Sequence, residues 1–332
     1  MRIFGGADYP FIARRRVAYS VSAALILVSL AATAFHGLSG RGWLEYGIDF
    51  EGGVLVHVRT EPALPLDAVR GALVGVGAVE VTRLGNPYEL VVRASRADGG
   101  TGTVTTTITS TLKRSFPEAR IDVLRSELVG PRVGHELRER AAAAIGISFL
   151  ATLIYLAFRF EPRFGLAAVL ATLHDIAITL GLLSALRIEV GVATVASLLT
   201  VIGYSLNATI VVFDRIREKL RRAGRTDDEA GLINRAINET LPRTVLTSGT
   251  TVAVLLPLLL LGGPVLYDFA VVLLAGIVVG TYSSIFIASP ALLAIRRRRA
   301  TGAAVVRRHE ADARRRPHEA RTVRPSWGRP HV

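Results

Sequence analysis

Residues 197–220 read SLLTVIGYSLNATIVVFDRIREKL, and their reading decides the fold. The uncharged part continues back to Val190, and after Phe213 the chain turns abruptly to Asp214, Arg215, Ile216, Arg217, Glu218 and Lys219. A run of about 20 apolar residues spans a bilayer core as a helix, and sudden charges mark where it meets water. The stretch is therefore a membrane helix with a cytoplasmic exit. Ser197, Thr200, Tyr204 and Asn207 interrupt it at three- and four-residue steps, so they share one side, which faces protein or water rather than lipid. Two readings stay open: polar groups that only glue helices together, and a functional polar track.

Working outward, half of the 332 residues are hydrophobic and mean hydropathy is positive, which is too apolar for an ordinary soluble protein. With no cysteine, disulfides and thiolate metal sites are excluded. The net charge of +13 invites a nucleic-acid reading, but its location argues against one. From Arg296 onward twelve Arg stand against Glu310, Asp312 and Glu319, which accounts for +9 of the +13. The basicity is mostly a tail, residues 296–332, with Pro317, Pro325 and Pro330. It reads as disordered chain held by anionic headgroups, with ribosome or RNA binding as the weaker option.

Six stretches are long enough to span: 17–35, 141–158, 164–186, 190–213, 244–267 and 269–295. Arg clusters at 14–16, at Arg159 and Arg163, at 215–225 and at 296–299, whereas the loop 187–189 and the turn around Asp268 are nearly neutral. The positive-inside rule then puts both termini in the cytoplasm and residues 37–140 outside. Basic residues, an apolar core and Ala32-Thr33-Ala34 also give the first run the flavour of a signal peptide. Its length favours an uncleaved anchor.

The exported segment holds one small domain. Residues 54–60 alternate as a strand, 66–76 follow Pro65 as a helix, and 79–83 and 88–93 pair as a hairpin around Gly85-Asn86-Pro87. A helix over 104–116 and a strand over 121–128 complete the order βαββαβ, that of a ferredoxin-like α+β sandwich. The expected fold is a polytopic helical membrane protein of six spans with this domain between helices 1 and 2. Between the fourth and fifth spans, in a cytoplasmic loop over 214–243, Thr226-Asp227-Asp228-Glu229 reads as a capping box. The short helix it opens carries Ala230, Ile233, Ile237 and Leu241 on one face and is expected to lie on the inner membrane surface.

Asp175 is the sharpest single residue, because it sits at the centre of its span, where an ionised carboxylate costs about 2.5–3.5 kcal/mol even on lenient insertion scales. It serves either a proton relay or a structural hydrogen bond. Neighbouring His174 points elsewhere on a helix and need not be its partner. In the fifth span Arg243 stands at the inner mouth, either as an interface anchor or to tune a buried carboxylate, with Thr244, Thr247, Ser248 and Thr251 on one stripe plausibly opposite Tyr204 and Asn207. Gly276, Gly280, Ser284 and Ala288 form a close-packing seam. No triad assembles from Ser, His and Asp, the seven His lack metal spacing, and Gly52-Gly53 lacks the ending of a phosphate loop. The expectation is a protein that is not an enzyme and holds no cofactor.

Several motifs together resemble the SecF family of the bacterial Sec protein-export machinery. They are Gly47-Ile48-Asp49-Phe50-Glu51-Gly52-Gly53 after the first span, Val129-Gly130-Pro131-Arg132-Val133 before the second, and Leu173-His174-Asp175 in the third. Ile202-Gly203-Tyr204-Ser205-Leu206-Asn207 with Phe213-Asp214-Arg215-Ile216-Arg217-Glu218 follows, then Thr240-Leu241, Arg243-Thr244 and Thr247-Ser248-Gly249-Thr250-Thr251. The resemblance covers nearly everything from Gly47 to Pro290. It implies a SecD partner in a pseudo-symmetric unit related to resistance-nodulation-division transporters. The pair would act beside the SecYEG channel on unfolded exported protein, drawing on proton flow, with a membrane insertase as a further partner. The family usually has Asp after the Asn of the fourth-span motif as a leading proton carrier, and here that position is Ala208. Coupling would then rest on a carboxylate of SecD, aided by Asp175 and paired with Arg243, or be partly lost. A stand-alone exporter of small molecules or lipids and a scaffold without coupling are the rival readings.

Overall fold

The computed structural model describes residues 8–40, 42–76, 79–94, 100–224 and 227–298. The basic tail beyond residue 298 and Thr226 of the capping box lie outside them. Six helices are long and apolar enough to cross a membrane. They are α1 (Arg15–Leu38), α5 (Pro131–Arg159), α6 (Pro162–Leu186), α7 (Val192–Arg222), α8 (Glu229–Leu261) and α9 (Gly263–Ser283), which runs on through a π-helical turn, Ser284–Ala288, to residue 298. Pro131 and Pro162 occupy first-turn positions, where a missing N–H costs nothing, and Arg187 closes α6 in the left-handed region at φ 54°.

Burial sorts these helices into two classes. The most apolar windows of α6, α7 and the last span are each 56% buried, against 11%, 6% and 17% in α1, α5 and α8. Three helices therefore form the middle, and three cover it on one side only. Small residues set the close approaches. A Cβ on Gly276 would meet the Val201 side chain at 2.1 Å, one on Gly280 would meet Ser205 at 2.9 Å, and one on Gly181 would meet Ser29 at 1.9 Å. The expected glycine seam is thus a contact of α9 with α7. At the end remote from the small domain, Phe160, Phe164 and Phe213 meet edge-on and stacked among Ile216, Ile233, Ile237 and Leu292.

That last cluster corrects one expectation. The segment with Ile233, Ile237 and Leu241 is not a separate helix on the membrane surface but the first turns of α8, continuous with the fifth span across Pro242. Its apolar face is buried against α6, α7 and the last span, because protein rather than lipid is available to cover it. Asp228 alone caps it, accepting from the N–H of Ala230 at 3.1 Å and of Gly231 at 2.9 Å. The turn between the fifth and sixth spans also shifts: it falls at Gly262, with Pro264 in the first turn of α9, so Asp268 lies inside α9 rather than in a loop.

Between α1 and α5 lies the small domain: β2 (Gly53–Glu61), α3 (Leu66–Leu73), β3 (Val79–Leu84), β4 (Asn86–Ala94), α4 (Gly100–Ser115) and β5 (Arg120–Val129). Its antiparallel sheet has the order β3-β4-β2-β5. Val54, Val56 and Val58 alternate inward along β2, as a half-buried strand requires, and meet Val69 and Leu73 of α3 and Ile108 and Leu112 of α4 in one core. A joint ties this domain to the bundle. The short strand β1 (Glu45–Tyr46) pairs in parallel with β6 (Glu189–Val190), and the helical turn α2 (Ile48–Glu51) follows it.

A polar cluster and an arginine-lined cavity inside the bundle

Asp175 sits on α6 facing both other central helices and is 1% exposed. Its Oδ1 lies 2.8 Å from His174 Nδ1, and its Oδ2 accepts from Ser283 Oγ of α9 at 2.7 Å and from Ser205 Oγ of α7. The carboxyl group is thereby held from three helices, which is how a buried polar group avoids its desolvation penalty. The adjacent histidine is a partner after all, since its ring turns back onto the carboxylate of the next residue. Sequence reasoning missed Ser205 and Ser283 as well. The signals available were that Ser205 stands inside the fourth-span motif and Ser283 beside Ser284 of the small-residue seam.

The expected polar stripe on α7 divides. Ser197 Oγ donates to the Phe269 carbonyl of α9 at 3.1 Å, whereas Thr200 is exposed and bonds back to Ala196. Tyr204 Oη donates to Ser248 Oγ of α8 at 3.3 Å and lies 3.4 Å from Thr251 Oγ1. Ser248 in turn sits 2.6 Å from Thr281 Oγ1 of α9. The stripes on α7 and α8 do face each other, around a cavity of about 110 Å³ lined by Tyr204, Asn207, Ala208, Val211, Arg243, Thr244, Thr247 and Ser248. Thr247 and Thr251 spend their hydroxyls on the carbonyls of Arg243 and Thr247. Arg243 does not reach Asp175, whose partners are His174, Ser205 and Ser283. Among the described residues no carboxylate pairs with Arg243. Asn207, Arg243 and Thr247 lie on the open side of α7 and α8.

The other motif residues build joints. Asp49 Oδ2 accepts from the N–H of Val192 at 2.9 Å, closing the N-terminus of α7, and a Cβ on Gly191 would stand 2.7 Å from the same oxygen. Phe50 is buried among Leu183, Val195 and Leu198. Gly52 at φ 77° and Gly53 at φ 134° make a turn that side chains disfavour, which delivers the chain into β2. At the far end Asp214 accepts from Arg159 Nη2 at 3.2 Å. Arg215 pairs with Glu218 and with Glu239, whose other oxygen meets Lys219 Nζ at 2.5 Å, pinning the end of α7 to α8.

Six spans packed around a hydrogen-bonded carboxyl group make the chain a polytopic helical membrane protein. Residues 106–298 match the family model described as "Protein export membrane protein SecD/SecF, C-terminal". The chain is 40% identical over 301 residues to the protein translocase subunit SecF of Gemmatimonas aurantiaca, covering 88% of this chain and 89% of that one. It is 41% identical over 323 residues to the SecF of Rhodothermus marinus, covering 95% and 100%. A crystal structure of SecDF, described as a translocon-associated membrane protein, from Thermus thermophilus superposes with a TM-score of 0.76 at 38% identity. It covers 90% of this chain and 40% of that chain, so this chain spans about two-fifths of that protein. The chain belongs to the SecF family of protein translocase subunits.

Proposed function

We propose that this subunit assists Sec-dependent export by pairing with SecD beside the SecYEG channel and using the proton-motive force to draw unfolded protein across the cytoplasmic membrane. The single observation that carries the reading is the open polar face of α7 and α8. Asn207, Arg243 and Thr247 surround a cavity within membrane-spanning helices, where lipid offers no hydrogen bonds. A second bundle must cover that face, and a carboxylate from it would satisfy Arg243. The relatives named above are protein translocase subunits, and the solved relative is a SecDF described as translocon-associated, which supports a place in the export machinery beside SecD. The strand order β3-β4-β2-β5 with both helices on one face supports reading the small domain as ferredoxin-like. The Arg-rich ends remote from it support placing both termini in the cytoplasm and the domain outside. The subunit itself is not an enzyme in this reading.

The test is late, ATP-independent completion of translocation into vesicles holding the channel, SecD and this chain, with and without a proton gradient. Completion should be faster with the gradient, and Arg243→Ala should abolish that gain. A second reading, a scaffold without coupling, is favoured by Ala208 standing in the cavity where, among the described residues, no carboxylate pairs with Arg243. Completion indifferent to the gradient would establish that reading instead.

A further inference from the structure

Resting on the proton-coupled reading, we infer that His174 and Asp175 form one proton-holding pair, and that Nε2 of His174 is the atom that takes up and releases the proton. Asp175 Oδ1 is reached by His174 Nδ1, while Oδ2 is occupied by the hydroxyls of Ser205 and Ser283. A carboxylate in that position fixes the tautomer: Nδ1 carries its hydrogen and donates it, leaving the Nε2 lone pair facing away. Nε2 is buried and has no hydrogen-bond partner, in a side chain that is itself more than nine-tenths buried. Buried polar atoms are seldom left orphaned, and at functional sites an orphan often marks the working atom.

The surroundings are otherwise neutral. From α9 come Tyr282, stacked on the imidazole at 6.3 Å between ring centres, and Ser283; from α7 comes Ser205. From α1, Ser22 and the carbonyl of Ala18 hold the Tyr282 hydroxyl at 3.2 and 2.8 Å. α5 contributes nothing to the hydrogen bonds of the pair, and among the described residues no Arg or Lys pairs with either group. Without a proton on Nε2 the pair carries one net negative charge in a dry interior; with it the pair is an imidazolium against a carboxylate, with no net charge. Burial penalises the uncompensated charge far more than the pair, so the proton is what makes the carboxylate tolerable at this depth. Uptake forms one N–H bond to the lone pair using a proton from water. Release breaks that bond and returns the proton to water, with Nδ1–H and its hydrogen bond intact throughout. Ser283, the last residue before the π turn, ties the pair directly to the last span.

The experiment uses the chain co-purified with SecD in lipid nanodiscs with ¹⁵N-labelled histidine, the His174 signals being assigned by their loss in His174→Gln. As pH is raised, Nε2 should pass from the N–H form to the lone-pair form while Nδ1 stays protonated. Asp175→Asn should abolish the preference for hydrogen on Nδ1. An Nε2 that keeps one form throughout, or an Nδ1 that carries the lone pair, would overturn the inference. In the translocation assay the gradient-driven gain should show a pH inflection that is lost in His174→Gln; an inflection unchanged in that variant would equally overturn it. If the unaltered chain shows no gradient-driven gain, the proton-coupled reading fails, and the nanodisc titration still decides whether the pair binds a proton.

Discussion

At the scale of single residues, Asp49 shows how a motif residue works without doing chemistry. Its carboxylate accepts from the N–H of Val192 at the start of α7, one of four donors that a helix leaves unsatisfied there. Asp49→Ala should cost about 1 kcal/mol, as loss of a helix N-cap does, and a thermal melt of the full chain in detergent should read this as a lower midpoint. Glu89 offers a second check, outside the spans. The Arg59 guanidinium at 2.7 Å, helped by His57, holds its carboxyl below the usual glutamate range. Because the folded value is depressed, the stabilisation is fully present above the unfolded value of about 4.3. It is lost as pH falls through the lower folded value, so acid melting of the sheet, followed by its infrared amide band, should be less steep in Glu89→Gln. Asp175 was legible in the sequence because a lone charge in an apolar run is conspicuous. Its bond to His174 was not, because neighbours on a helix point about 100° apart and only the rotamers reveal a ring folded back.

Among the elements, the glycines of α9 set the distance to α7. Gly276→Leu puts a branched side chain where even a Cβ would stand 2.1 Å from Val201, so the two central helices must part. Overpacking of this kind costs about 1–3 kcal/mol, and disulfide trapping between cysteines placed on α7 and α9 should slow markedly in the variant. The strands and helices of the small domain could be read from alternation and turn residues, because Val54, Val56 and Val58 face one way and Gly85 closes a hairpin. The two-residue pairing of β1 with β6 could not, since Glu45-Tyr46 and Glu189-Val190 are too short for any period. Nor could the continuity of α8: Pro242 stands inside it, and the burial of Ile237 and Leu241 just before that proline, against the bundle, is visible only in the packing.

For the whole molecule, the division into buried and half-covered helices predicts where a partner sits. A cysteine at Asn207, on the open side of the bundle, should form a cross-link to SecD in native membranes, whereas one at Phe158, exposed on α5 away from the cavity, should not. A link from Phe158 alone would place SecD on the other side of the bundle. The six spans were legible because length and hydropathy suffice to find them. Which of them lie inside the bundle was not, since α1 and α6 are equally apolar with a mean window hydropathy of 1.9 yet differ fivefold in burial.

The π turn at Ser284–Ala288 has a mechanical consequence. An α-helix is a spool wound tight, but a π turn stores one residue of slack in it. Were that slack to slip one turn towards α9's beginning, each residue it passed would swing by about 100°, and Ser283 would swing off Asp175 while the ends of the last span stayed where they are. In the last span such a slip would turn Ser283 as a cam turns one lobe between fixed bearings.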